Sequence, residues 1–148
     1  MIVLDANLLL YAYDSSSKKH KQARQWLESV FSSSTAVGLP WQTVGAFLRI
    51  VTHPRIPGQK FSIEDAVQVV DQWLEQPNVR LLAPGEQHWS LLRQLLVDGQ
   101  AAGPLITDGQ LAAVTMENGG VLHTTDRDFA RFPGLRWTDP IDDINLGR

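Results

Sequence analysis

The chain of 148 residues contains no cysteine. That excludes disulfides, thiolate zinc sites and a cysteine nucleophile, and it fits a reducing compartment. It also lacks any apolar run approaching the roughly 20 residues that span a bilayer. The stretch from Met1 to Tyr13 carries Asp5 among its apolar residues and has no basic leader, so it does not read as a signal peptide. An excess of positive charge is missing too: the formal net charge is −3. A passive coat protein for nucleic acid would be basic. A nuclease is still allowed, because acids gathered around a metal lower the net charge while basic residues elsewhere meet phosphates. No internal repeat, linker or histidine pair at zinc spacing is visible. These absences leave a cytoplasmic protein with no membrane segment, read as one domain over residues 1–148.

What is there alternates between two periodicities. Ile2 to Leu4 is a short apolar run of the kind buried on both faces of a sheet. A short helix over Asn7 to Tyr13 follows. Lys19 to Ser33 is a helix with Ala23, Trp26, Leu27 and Val30 on one face. Ala36 to Leu39 is a second strand, and Pro40 opens a helix that ends near Thr52, before Pro54. After a proline- and glycine-containing loop over His53 to Gln59, Ser62 caps a helix over Ile63 to Glu75, with Glu64 and Asp65 in its first turn. Val79 to Leu82 is a third strand, Gly85 to Gly99 a helix, and Thr107 to Asn118 another helix closed by Gly119 and Gly120. Val121 to Thr124 is a fourth strand. Asp126 to Phe132 is a loop or short helix, Leu135 to Trp137 a last short strand, and a polar tail follows. Strands separated by helices imply parallel crossovers and an α/β fold. Ligands in such folds sit beyond the carboxyl ends of the strands, where the strand order reverses.

That rule selects among the acids. Asp5 directly follows the first strand, Asp126 follows the fourth with Asp128 two residues on, and Asp108 lies in the first turn of a helix. If the first and fourth strands are neighbours, these carboxylates converge. Carboxylates held close together repel, and burial worsens the penalty. A divalent cation relieves it, and all-oxygen ligands suit magnesium or manganese. Taken singly, each acid has an ordinary structural role: Asp5 as a cap, Asp108 as a first-turn acid interacting with the helix dipole, Asp126 and Asp128 as turn residues. The joint pattern is more specific than its parts.

Four blocks carry a family resemblance over almost the whole chain. They are Asp5-Ala6-Asn7, then Phe47-Leu48-Arg49-Ile50 leading to Thr52-His53-Pro54-Arg55, then Thr107-Asp108 opening Leu111-Ala112-Ala113-Val114, and Thr124-Thr125-Asp126-Arg127-Asp128-Phe129. In these the chain resembles PIN-domain proteins, specifically VapC-type toxins of type II toxin–antitoxin pairs. The resemblance implies a PIN-like three-layer α/β/α sandwich around a central parallel sheet. It implies an endoribonuclease that hydrolyses phosphodiester bonds with water activated by Mg2+ or Mn2+. By the same match Asp5, Asp108 and Asp126 are metal ligands or close supports, and Asp128 is a further catalytic acid. Asn7 and Thr124 would orient carboxylates or a metal-bound water, against ordinary roles as a helix N-cap and a strand end. The implied partners are a VapB-type antitoxin docking in a hydrophobic groove between helices, an RNA substrate (tRNA or rRNA) and a second copy of the chain. One departure stands out. Relatives often carry a glutamate just before the Phe-Leu-Arg stretch; here the residue is Ala46, and no acid lies between Pro40 and Thr52. The pattern implies a leaner metal site, with one firmly bound ion rather than two. Asp14 is no obvious substitute and reads as a cap of the next helix or a residue of a solvated loop.

Other residues divide between site and scaffold. Lys18, Lys19, His20, Lys21 and Arg24 form a basic group best read as solvated surface. Arg49, His53 and Arg55 form a second group, and Arg127, Arg131 and Arg136 a third near the acids; both are candidates for RNA phosphates. Trp26, Trp41, Trp73, Trp89 and Trp137 are expected mostly in the core, with one or two able to line a groove. His123, in a buried strand, reads as structural. Two rival enzymes fit poorly. A haloacid-dehalogenase-type phosphatase wants an aspartate where Asn7 stands, and a response-regulator receiver wants an early acidic pair and a late lysine. The non-enzyme alternative is a degenerate PIN domain that binds RNA or a protein without cutting.

Overall fold

In the computed structural model, which describes residues 1–58 and 60–142, five parallel strands form one sheet in the order β3-β2-β1-β4-β5. The strands are β1 (Ile2–Leu4), β2 (Val37–Pro40), β3 (Val79–Leu82), β4 (Val121–His123) and β5 (Trp137–Thr138). The helices are α1 (Ala6–Tyr13), α2 (His20–Ser32), α3 (Trp41–Val51), α4 (Ile63–Glu75), α5 (His88–Asp98) and α6 (Leu105–Glu117), with a 3-10 turn over Arg127–Arg131. Gln59, and the last six residues of the expected polar tail, lie outside the described residues.

Two cores explain the layers. Leu4, Val37 and Leu39 pack against α1 to α4 through Leu8, Leu27, Phe47 and Trp73. Val3, Leu82 and Leu122 pack on the other side against α5 and α6 through Leu92, Leu95, Leu111 and Val114. Val3 and Leu4, adjacent in sequence, serve opposite cores, which is the period-two geometry of a strand. The sheet is thus sandwiched as expected from continuous apolar strands. The chain adds β2 and β3 on one side of β1, then crosses to add β4 and β5 on the other. Its order therefore reverses between β1 and β4, and Leu4 stands level with His123 across that junction.

Most expected boundaries hold within a residue or two. Ser62 caps α4 through Asp65 N, and Gly119 at φ 62 follows α6 in the left-handed conformation a helix stop favours. Four expectations change. α1 starts at Ala6 with Asp5 as its cap, so Asn7 lies inside the helix and is no N-cap. α5 starts at His88, three residues late, because Gly85 accepts from His88 N in a turn. Asp14 caps the C-terminus of α1 and accepts from Ser16 N; Lys19, not Asp14, is the N-cap of α2. The tryptophans also divide more evenly than the core reading expects. Trp26 and Trp73 are buried, whereas Trp41 is 54 % and Trp89 66 % exposed. Both exposed rings sit at the first or second position of a helix, away from the stripe that faces the sheet.

Candidate metal centre

The reversal of strand order brings Asp5 and Asp126 together, as the carboxyl ends of β1 and β4 are adjacent. Asp5 N donates to His123 O at 3.2 Å, tying the two strand ends directly. Asp5 then does two things at once. Its Oδ1 accepts from Ala6 N at 2.7 Å, starting α1, and its Oδ2 accepts from Thr124 Oγ1 at 2.7 Å. Thr124 is fully buried, and its hydroxyl also accepts from Asn7 Nδ2 at 3.3 Å and from Asp126 N at 3.0 Å. One donor and two acceptor positions are therefore all used. Thr124 is no mere strand former, and Asn7 reaches the acids through it.

Asp126 begins the next turn: its Oδ1 accepts from Asp128 N at 2.9 Å, which aims the chain so that both acids lie on one side. α6 supplies Asp108 from its first turn. Carboxylate oxygens of Asp108, Asp126 and Asp128 lie within 4.8 Å of one another. Asp5 is not in this tightest trio; it stands behind it, held by Thr124 and Ala6. Asp128, the least anchored of the four in sequence terms, belongs to the trio.

Burial and mutual repulsion register in the ionisation of these groups. Burial pushes the Asp5 carboxyl up, against the lowering effect of its hydrogen bonds from Thr124 and Ala6, and the charge of Asp126 adds to the rise. Asp108 is raised to about 6, first by burial and then by the charges of Asp126, Asp5 and Asp128, with Arg131 opposing. A first-turn helix acid would ordinarily be favoured in its charged form by the dipole. For Asp108 burial and the neighbouring acids outweigh that, which separates it from a plain helix-start residue.

Oxygens about Mg2+ at roughly 2.1 Å lie up to about 4.2 Å apart when opposite one another. The oxygens of the trio, all within 4.8 Å of one another, lie near that spacing. The donor set is all oxygen, the groups repel without a cation, and one trio leaves coordination positions for water. The residues fit a hard divalent ion. Within the described residues this trio is drawn from α6 and the β4–β5 connection alone. Ala46 on α3 adds no carboxylate, as its sequence requires.

The surrounding elements are locked to the site. Thr43 Oγ1 donates to Leu4 O at 2.8 Å, and Gln42 Nε2 donates to Thr107 O at 3.2 Å, so the start of α3 is pinned to β1 and to α6. Neither residue attracted notice in the sequence, since a buried threonine and a polar helix start carry no spacing signal. The basic groups are partly spent on structure. Lys19 and Arg24 lie over the rings of Tyr11 and Tyr13. Arg131 donates to Gly99 O, Arg136 to Gly119 O, and Arg127 pairs with Asp142 at 3.2 Å. Of the third group, Arg131 is the member whose charge is felt at Asp108. His123 stacks on Trp26 at 5.7 Å, in keeping with a structural role.

The family profile described as PIN domain matches residues 2–135, and the chain belongs to the PIN-domain family. Within that family it is similar to VapC proteins. It is 40 % identical to Ribonuclease VapC33 of Mycobacterium tuberculosis over 141 residues, covering 95 % of this chain and 99 % of that one. It is 39 % identical to VapC ribonuclease Mb2897 of Mycobacterium bovis, covering 96 % and 97 %. Among solved structures, the fold is shared with VapBC2 from Rickettsia felis bound to a DNA fragment from its promoter, with a TM-score of 0.70 at 15 % identity over 93 % of this chain and 98 % of that one. It is shared also with Mycobacterium tuberculosis VapC20, a sarcin-ricin loop cleaving toxin, with a TM-score of 0.66 at 16 % identity over 92 % and 99 %.

Proposed function

We propose that this chain is a single-domain, cytoplasmic endoribonuclease, the toxin of a type II toxin–antitoxin pair, hydrolysing RNA in a reaction dependent on Mg2+ or Mn2+. The observation that carries the reading is the convergence of Asp108, Asp126 and Asp128 within 4.8 Å, backed by Asp5, at the sheet's reversal point. The names of the relatives support the reaction class. When bound, the ion supplies orientation and acidification of a water and neutralises charge on the phosphoryl oxygens. The protein's part is placement. Asp108, Asp126 and Asp128 offer the oxygens, while Thr124 and Ala6 hold Asp5 so that its charge faces the cluster. Arg131 tempers the local negative charge that an incoming phosphate meets.

The antitoxin would be of VapB type and would lie in the groove between the ends of α1 and α3. There a cavity of about 380 Å3 is walled by Leu10, Tyr13, Ile50, Val51, Ile56 and Pro57. The RNA, transfer or ribosomal, and a homodimeric assembly belong to the same reading.

The test is cleavage of structured RNA by the pure protein with Mg2+ or Mn2+, beside Asp5→Asn and Asp108→Asn. Cleavage by the parent alone is expected. Equal cleavage by parent and variants overturns the assignment. The absence of an α3 acid at Ala46 favours one specific rival, a PIN domain that holds RNA without cutting it; RNA binding with no cleavage by any form of the protein would establish that rival.

A further inference from the structure

A second cavity, of about 180 Å3, opens at the carboxyl ends of β2 and β3, beside the acids that follow β1 and β4. Neighbouring strands are only about 4.8 Å apart. The two sites share a wall, since Gln42 lines the cavity and donates to the carbonyl of Thr107, the residue before Asp108. The lining is chemically mixed. Leu82 and Val114 are apolar, Trp41 presents an indole that is 54 % exposed, and Gln42, Gln110 and His88 bring polar groups.

His88 is built into place. Its Nδ1 lies 2.6 Å from Glu117 Oε1, and the other carboxylate oxygen accepts from Gly85 N at 2.9 Å. An ionised carboxylate only accepts, so the shared proton sits on Nδ1 and Nε2 remains as the ring's second polar atom. A Cβ at residue 85 would come within 2.7 Å of that Glu117 oxygen, so a larger residue would have to displace the carboxylate. Four residues from three helices, Trp41 and Gln42 of α3, His88 of α5 and Gln110 of α6, thus bring an aromatic face and three hydrogen-bonding groups around a small space next to a phosphodiester-cleaving centre. The acid site uses none of Trp41, His88 or Gln110.

A flat ring with a hydrogen-bonding edge fits that set. Single-stranded RNA is recognised through unstacked bases laid on aromatic side chains and read along their edges. We propose that this cavity is a base-recognition subsite, taking one unpaired nucleobase of the RNA strand next to the scissile phosphate. The base stacks on Trp41 and is read by His88 and Gln110. The proposal rests on the ribonuclease reading above and adds the feature that chooses where the strand is cut.

The test uses the metal-free protein in EDTA, titrated with AMP, GMP, CMP and UMP. The readouts are the indole N–H of Trp41 and the side-chain amides of Gln42 and Gln110 by NMR. One or two of the four nucleotides should move these signals in preference to the others. Trp41→Ala should weaken that binding about tenfold, and Gln110→Ala should change the order of preference. Both variants should bind Mn2+ at the acids as the parent does. Equal response to all four nucleotides, or variants that bind like the parent, overturns the subsite. So does a change in solution mass for Trp41→Ala by light scattering, which would assign the surface to contact between copies. Binding in EDTA needs no catalysis. Selective nucleotide binding without metal-dependent cleavage would therefore retain the subsite and remove the ribonuclease reading; cleavage with no selective binding would do the reverse.

Discussion

Thr124 Oγ1 donates to Asp5 Oδ2 at 2.7 Å across the junction of β4 and β1, joining residues 119 positions apart. That bond is the point at which scaffold and site meet. The same hydroxyl accepts from Asn7 and from Asp126 N, so one buried oxygen sets the orientation of two acids and the start of two turns.

Thr124→Val keeps the shape of the residue and removes all three bonds. Leaving buried polar partners unpaired costs about 1–3 kcal/mol. A fall of several degrees in Tm is expected, together with loss of most RNA cleavage, while Thr124→Ser retains both. Thermal unfolding and a cleavage assay on the three proteins check this. A valine variant as active and stable as the parent would show the network to be idle.

Asp108→Asn removes a charge that burial and three neighbouring acids disfavour. The metal-free variant should melt at a higher temperature than the metal-free parent, and the rise in Tm that Mn2+ produces in the parent should shrink or vanish. The measurement is a melting series against Mn2+ concentration. A variant less stable than the parent without metal would mean that repulsion does not dominate the site.

The raised ionisation of Asp108 carries a sign. Its folded value, about 6, stands above the unfolded 3.8, so the folded state holds the proton more tightly. The associated stability is fully present below about pH 4 and is lost as pH rises through about 6. After discounting for solvent screening the difference is on the order of 1 kcal/mol. The contribution of this residue is read by subtracting the pH–Tm profile of metal-free Asp108→Asn from that of the metal-free parent. The parent should lose relative stability between about pH 4 and pH 6, and saturating Mn2+ should remove that loss.

Ala46→Glu places a carboxylate where the resembling family often has one. The expected result is tighter Mn2+ binding by calorimetry and a lower melting temperature without metal, because a further like charge joins the cluster. Unchanged affinity would mean that this position on α3 does not reach the ion.

The sequence by itself determined the elements and their class. Apolar triplets and quartets such as Ile2 to Leu4, set between helical stretches, read as strands covered on both faces, and the stripe of Ala23, Trp26, Leu27 and Val30 reads as the buried face of a helix. Asp5, Asp108 and Asp126 were legible as candidates because strand ends and helix starts are local features, and the four family-like blocks fall on them. Pairing was not local. Only the tertiary structure decided that β4 lies against β1, which converts scattered aspartates into one cluster, draws Asp128 into the trio and sets Asp5 behind it. A carboxylate-orienting role for Thr124 was implied by its family-like block, but its bonded partners were not legible, and the His88–Glu117 pair was hidden altogether: these partners are separated by 119 and 29 residues, and a hydroxyl or imidazole acquires its role from whatever the fold sets beside it. One or two tryptophans were expected outside the core, but that these are Trp41 and Trp89 was equally out of reach, since only packing shows which face of a helix the sheet has left uncovered.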